Sequence, residues 1–392
     1  MASRIATDER NEMDSRLDRM QRNALIAGAI GLLLVIVGAL FDLNQLFQSY
    51  LFSYLFWLGI SLGCLVWLLI HGMTGGRWGD AIHPLLQSSA LLVGLMALLF
   101  IPLLFGLDRL YLWAQPEAVA QDALLQHKQP YLNVPFFIGR AALYFVVWAG
   151  TILLFVRWWR NLAQRPSIDL AERIRRFSGI GLGLYGLTVT FGAFDWLMSL
   201  DPHWYSTIFG VLIAAGHACT ALAFIVAVVA YVGHIPPLSL MITERHVSDL
   251  GNLLLTTVIF WTYIAFIQFF IIWSGNLPED VLWYLHRLEG GWNWVPIALI
   301  FFHFLVPFVM LLSGGVKRNA RRLASVALLI LVADLLHLYW LVAPTFSHEQ
   351  ITVHWLDFAM PLFVGGLWIA GFVWLLRRYV QDMRRAPVPG AD

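Results

Sequence analysis

Cysteine is nearly absent from this 392-residue sequence, which contains only Cys64 and Cys219, far apart and both inside apolar runs. Two such thiols cannot hold an iron–sulfur cluster or build a disulfide framework. The sequence also lacks the C-x-x-C-H motif that attaches haem covalently. We therefore interpret both cysteines as small packing residues of helices.

Charged side chains are the second scarce group. They make up 12% of the chain, whereas a soluble protein has about 25%. Hydrophobic residues reach 59%, and the mean hydropathy is +0.72. This composition excludes a soluble enzyme, a disordered protein and a nucleic-acid-binding protein, and it predicts a polytopic membrane protein. The formal net charge of +1 provides no global field to steer an anionic partner.

Ten apolar stretches are long enough to cross a hydrocarbon core of roughly 30 Å as helices of about 20 residues. They cover approximately 24–41, 50–71, 84–105, 134–156, 178–200, 206–232, 250–273, 293–313, 323–343 and 355–376. The predicted fold class is therefore all-α. We expect a cytoplasmic N-terminal tail at 1–23, a ten-helix transmembrane domain at 24–378 and a cytoplasmic C-terminal tail at 379–392.

The basic residues predict the orientation of these spans. Of the 25 lysines and arginines, 21 lie in the two tails and in the loops that follow spans two, four, six and eight. Three lie in the loops that follow the odd-numbered spans, and Arg140 lies inside span four. This asymmetry places both termini in the cytoplasm. No small-residue cleavage site follows the first apolar run, so we expect no cleaved signal peptide. The loops after spans three and seven alternate aromatic and polar residues, which favours short interfacial helices.

One pair of charges inside the spans lies at matching depth. Arg140 is about six residues into span four, and Asp195 is about five residues from the end of span five on the same side. A charged side chain inside the bilayer costs about 2.5–3.5 kcal/mol on insertion scales, so each charge needs a partner. We predict an ion pair, which either serves proton transfer or acts only as a structural clamp.

A second polar group is predicted near the midplane of spans six to nine. His217, His303 and Asp334 each lie about ten or eleven residues into a span, and His337 follows Asp334 on the same helix face. Three polar residues continue toward the outer side: Gln268, His354 and Asp357. Such a series is typical of a proton route. The alternatives are helix–helix hydrogen bonding and a haem b held between His217 and His303.

Several long segments resemble a known family. They read DWLMSLDPHWYSTIFG at 195–210, DLGNLLLTTVIFWTYIAFIQFFIIWSGNLPEDVLWYLHR at 249–287, VKRNARRLA at 316–324 and VHWLDFAMPL at 353–362. This series resembles the ActF family of membrane subunits of alternative complex III, the bacterial quinol:cytochrome c oxidoreductase. The resemblance is clearest from about Ser178 to Arg378, and the N-terminal third matches only in its span pattern. The family is similar to the membrane subunit of polysulfide reductase.

The resemblance implies two four-helix bundles, formed by spans two to five and six to nine and flanked by spans one and ten. It implies a bacterial inner-membrane location and several partners, namely a sister ten-helix subunit, haem c subunits and an iron–sulfur subunit. The redox centres belong to those partners, and we expect no cofactor in this chain. The chain is then a proton conductor or an assembly scaffold.

Two other functions stay open from the sequence. One is a quinone-binding anchor, because the family is commonly described as quinone-binding. The other is a self-standing proton-coupled transporter. The transporter is disfavoured because the sequence contains neither a visible inverted repeat nor a pair of Gly/Pro-broken spans in equivalent halves.

Overall fold

A computed structural model describes residues 2–347 and 349–385, and no β-strand occurs among them. Ten helices in these ranges are long and apolar enough to cross a membrane. They are α1 (Glu12–Phe41), α2 (Leu43–Thr74), α3 (Arg77–Leu110), α4 (Val134–Gln164), α5 (Ile168–Leu200), α6 (Phe209–Val232), α7 (Glu244–Gly275), α8 (Trp294–Leu312), α9 (Ala320–Thr345) and α10 (Leu356–Asp382). The predicted all-α polytopic membrane fold is confirmed.

The helices extend further than the apolar stretches did at both ends of the chain. The helix that includes α1 begins at Ala2, and the helix that includes α10 continues to Arg385. Much of each predicted tail is therefore a helical extension of a span. Charged pairs support these polar turns, since Arg16 binds Glu12 at 3.0 Å and Arg377 binds Asp18 at 2.5 Å.

Eight of the ten helices form the two four-helix bundles that the family resemblance implied. In the first, α2 and α4 each contact both α3 and α5, and in the second, α6 and α8 each contact both α7 and α9. Helix α1 packs along α10, which contacts α2 and α3. The bundles meet where α6 contacts α2 and α5. We call the side of the chain ends the terminal face and the opposite side the distal face.

Glycines allow the two bundles to approach closely. A Cβ atom at Gly59 of α2 would lie 2.8 Å from Cδ2 of His217 on α6, and one at Gly63 would collide with the carbonyl oxygen of His217. These glycines are four residues apart, so both face α6. The His217 backbone is therefore pressed against α2, which makes this residue a bridge between the bundles.

Short helices form on the distal face, as predicted for the loops after spans three and seven. They are Pro116–Gln121, Ala123–Lys128 and Pro278–His286. The side chain of Asp122 caps the second of them by accepting hydrogen bonds from the amides of Leu124 and Leu125. The distal loops are thus ordered elements that pack on the ends of the bundles.

Candidate functional site

The predicted ion pair between Arg140 and Asp195 is present in the first bundle. Nε of Arg140 donates to one carboxylate oxygen at 2.9 Å, and Nη2 donates to the other at 2.8 Å. This bidentate geometry is the strongest arrangement for a guanidinium and a carboxylate. Both side chains are buried, and Asp195 is fully enclosed. Depth along two consecutive helices was sufficient to predict this contact.

Further groups satisfy the pair. The hydroxyl of Tyr144 donates to Asp195 at 2.7 Å, and Nη1 of Arg140 donates to the carbonyl of Tyr131 at 2.7 Å. The guanidinium carbon also lies 3.8 Å from the centre of the Tyr131 ring. A buried carboxylate with this many donors is held firmly in one position. We therefore regard the pair mainly as a clamp between α4 and α5.

The second bundle brings together the polar residues predicted for its midplane. Nε2 of His303 on α8 lies 3.7 Å from Oδ1 of Asp334 on α9, and His337 follows one turn along α9. Trp261 of α7 packs between the histidines, with its ring centre 3.8 Å from that of His303 and 5.1 Å from that of His337. We call Trp261, His303, Asp334 and His337 the central cluster.

Buried polar atoms of the central cluster lack hydrogen-bond partners among the described residues. Both ring nitrogens of His303 and Nε1 of Trp261 are in this state. His303 lies in a π-helical turn, Ile300–Leu305, and such turns are frequent at functional sites. Unpaired buried donors and acceptors are costly, so a site of this kind is suited to ordered water or to exchanging protons.

His217 connects the two bundles through small cavities. Its Nδ1 lies 3.1 Å from the hydroxyl of Tyr185 on α5. A cavity of about 10 Å³ borders His217, Asp334 and His337, and another of about 20 Å³ borders His217 and Trp196. A cavity of about 10–15 Å³ holds one water molecule. Each cavity is therefore the size of a single water.

The second cavity leads toward the ion pair. Trp196, which lines it, directly follows Asp195 in α5, and its ring centre lies 6.0 Å from that of Tyr144. Nε1 of Trp196 is a buried donor without a partner among the described residues. His217 thus lies between the central cluster on one side and the surroundings of Asp195 on the other.

A haem does not fit between His217 and His303 in this packing. Trp261 and Asp334 lie directly against His303, and the cavity that borders His217 and Asp334 has room for about one water. No group of three or more His, Cys, Asp or Glu side chains in the described ranges is placed to hold a metal ion.

The outer members of the predicted series lie apart from the central cluster. Asp357 accepts hydrogen bonds from Ser49 at 2.6 Å and Gln45 at 3.0 Å, and it caps the start of α10 through the amide of His354 at 2.8 Å. The side-chain amide of Gln268 on α7 donates to the hydroxyl of Tyr284 at 3.4 Å. These contacts anchor helix ends, so the structure places Asp357 and His354 at the junction of α10 with α2.

A histidine pair near the terminal face was missed by the sequence analysis. Nε2 of His71 lies 3.3 Å from the exposed carboxylate of Asp80, and the buried His83 ring stacks on Trp159 at 4.4 Å. Both nitrogens of His83 and Oε1 of Gln87 lack partners among the described residues. Both histidines lie at the ends of predicted spans, where polar residues are common. Their positions in the sequence therefore did not mark them as buried.

A buried arginine at the distal end of the second bundle was also missed. Arg287 follows the short helix Pro278–His286 and is only 2% exposed. Burial lowers the pKa of Arg287 to about 9 against the opposing effects of Asp201 and Tyr284, which still leaves the guanidinium charged at neutral pH. Arginine in a loop is usually an exposed charge, so only packing reveals this position.

Comparison with known proteins adds no assignment. No protein-family model matches the chain, and no curated protein matches it. Its function therefore has to be argued from the residues and their geometry.

Proposed function

We propose that this chain is a membrane subunit of a quinol:cytochrome c oxidoreductase of the alternative complex III type, and that it carries protons rather than electrons. The support from sequence is the resemblance over 195–210, 249–287, 316–324 and 353–362. The support from structure is a set of buried titratable side chains that converge near the middle of the second bundle.

One observation carries the proton-conducting role. His217 borders two water-sized cavities, one facing Asp334 and His337 and the other facing Trp196. Proton transfer needs titratable groups joined by hydrogen bonds or single waters, and it needs no redox centre. In the same cluster, both ring nitrogens of His303 lack hydrogen-bond partners among the described residues, which a simple helix-to-helix hydrogen bond would not leave behind.

The named groups have distinct roles in this proposal. Asp334 takes up and releases a proton, and His303, whose Nε2 lies 3.7 Å away, shares it. His337 and His217 pass protons across the intervening cavity, with Tyr185 orienting the His217 ring through its hydroxyl. The ion pair of Arg140 and Asp195 holds the first bundle in shape at the far end of this series.

The proposal extends to location and partners. The chain would lie in a bacterial inner membrane with both termini in the cytoplasm, beside a sister ten-helix subunit. Haem c and iron–sulfur subunits would supply the redox centres, and quinol would bind at or near the sister protein. Purification of the native membrane complex tests this assembly, because haem c and iron–sulfur signals should copurify with the chain.

The decisive experiment compares Asp334→Asn with wild type in the purified complex, reconstituted into sealed vesicles. Asparagine keeps the shape of the side chain but cannot accept a proton. We expect assembly and quinol oxidation to be retained more fully than the ratio of protons translocated to electrons transferred. Asp108→Asn, which changes an exposed carboxylate on the distal face, is the matched control and should behave as wild type. An unchanged ratio in Asp334→Asn would leave the scaffold role standing instead.

A further inference from the structure

Among the described residues, every hydrogen bond of the buried Arg287 goes to a neutral oxygen. Nη1 donates to the carbonyl of Trp283 at 3.2 Å, and Nη2 donates to the carbonyl of Leu341 at 3.1 Å and the hydroxyl of Thr345 at 3.0 Å. Nε has no partner in the same ranges. No carboxylate is hydrogen-bonded to this buried guanidinium, and Asp201 acts on its charge without binding it, so most of the positive charge stays unpaired.

Tryptophan rings surround this charge. The guanidinium carbon lies 3.8 Å from the centre of the Trp283 ring. Trp204 stacks on the other side of Trp283 at 4.4 Å, and Trp340 packs edge-on against it at 5.7 Å. All three rings are buried. Arg287 and these three tryptophans, which we call the distal cap, join the loops before α6 and α8 to the end of α9.

The distal cap lies directly beyond the central cluster along α9. Leu341, whose carbonyl binds Arg287, follows His337 by one turn and Asp334 by two turns. At 1.5 Å per residue, the guanidinium is therefore roughly 10 Å from Asp334 along the helix axis. To the side of the cluster, toward α2 and α5, lie His217 and its two cavities.

We propose that the distal cap is a barrier that stops protons from leaving the central cluster at the distal end of the second bundle, so that the cluster exchanges them by way of His217. The inference rests on the proposed proton-conducting role. It adds the direction in which protons are blocked and the residue that blocks them.

Two physical effects produce the barrier. Packed indole rings exclude the water that protons need for transfer, and a fixed buried cation repels hydronium and imidazolium. At roughly 10 Å from the guanidinium and an effective dielectric constant of about 20, an excess proton is repelled strongly enough to lower its population there more than tenfold. Membrane channels use arginine in the same sense to exclude cations from a pore. The carbonyl end of α9 stabilises the guanidinium in place.

The test measures passive proton leak in vesicles that contain the purified complex without quinol, under an imposed pH gradient. Arg287→Gln removes the charge and keeps hydrogen-bonding ability, and we expect it to raise the leak at least fivefold. Arg287→Lys keeps the charge and should remain as tight as wild type. Arg109→Gln, which alters an exposed distal arginine bound to Asn44, is the control and should not leak. If Arg287→Gln fails to assemble, Arg287→Met replaces it, because methionine fills the space between the rings.

A double variant connects the leak to the cluster. Adding Asp334→Asn to Arg287→Gln should return the leak to the wild-type rate, since the proton then has no cluster to leave. A leak that persists in the double variant would overturn the barrier, as would equal leaks in the Lys and Gln variants or no leak in either. Failure of the proposed function is read separately, from the proton-to-electron ratio of Asp334→Asn during quinol oxidation.

Discussion

The Asp195 carboxylate binds three donors on α4, namely Nε and Nη2 of Arg140 and the hydroxyl of Tyr144. At the scale of single residues, this site and the central cluster illustrate two uses of buried polarity. Asp195 is fully satisfied and therefore rigid, whereas His303 retains nitrogens without partners among the described residues, beside Asp334. Satisfied groups stabilise a fold, and buried groups without partners leave hydrogen-bonding sites open to ordered water.

We expect Asp195→Asn to destabilise the protein by about 3–5 kcal/mol, because it leaves the Arg140 cation buried without its anion. Unfolding in detergent, followed by circular dichroism against denaturant, measures the change. Glu172→Gln is the control, since it breaks an exposed pair with Arg176 that contributes only about 0.3–0.5 kcal/mol. Equal effects of the two substitutions would show that the Arg140–Asp195 pair adds no net stability.

At the scale of helices, close packing of α2 against α6 decides where His217 lies. Gly59 and Gly63 present a flat surface, and the backbone of α6 occupies the space that their side chains would fill. Membrane helices associate through such surfaces because lipid provides no hydrophobic driving force between them. The positions of both cavities beside His217 therefore depend on two glycines of another helix.

Gly63→Ala should force α2 and α6 apart, because its Cβ atom would collide with the His217 carbonyl oxygen. We expect a loss of roughly 1–3 kcal/mol, as for other overpacked interiors, together with reduced proton translocation. Thermal unfolding and the vesicle assay measure the two effects. Gly94→Ala is the control, since its Cβ atom would meet nothing within 4 Å. Wild-type behaviour of Gly63→Ala would contradict the tight bundle interface.

At the scale of the whole molecule, contacts between distal loops connect regions far apart in the chain. Nε2 of His203 lies 2.8 Å from Asp122, and Nζ of Lys128 donates to the carbonyl of Pro202 at 2.5 Å. Desolvation raises the pKa of Asp122, but hydrogen bonds from the Leu125 and Leu124 amides and from His203 outweigh it, so the pKa lies below its usual value.

The lowered pKa of Asp122 determines how docking of the Ala123–Lys128 helix depends on pH. A carboxyl whose pKa is lower in the folded state stabilises that state above its ordinary pKa, and the contribution is lost as pH falls through the lowered value. Hydrogen exchange of the Leu124 and Leu125 amides should therefore stay slow from pH 7 to about 4 and quicken below. Asp122→Asn should remove this acid dependence, and an unaltered profile in that variant would contradict the assignment.

The sequence by itself determined the all-α class, the ten spans and the depth of each polar residue along its helix. Length and hydropathy are sufficient for these, because a helix rises 1.5 Å per residue and the bilayer has a known thickness. Depth alone also predicted the Arg140–Asp195 pair, since consecutive helices joined by a short loop are neighbours.

Only the tertiary structure decided which helix faces meet, because helix rotation and packing partners depend on side chains distant in sequence. It placed Trp261 between two histidines, joined His217 to Tyr185, and moved Asp357 to a contact with Ser49 on α2. It also buried Arg287, a loop residue that the sequence analysis did not single out, because the carbonyls at the end of α9 and the Trp283 ring stabilise its charge.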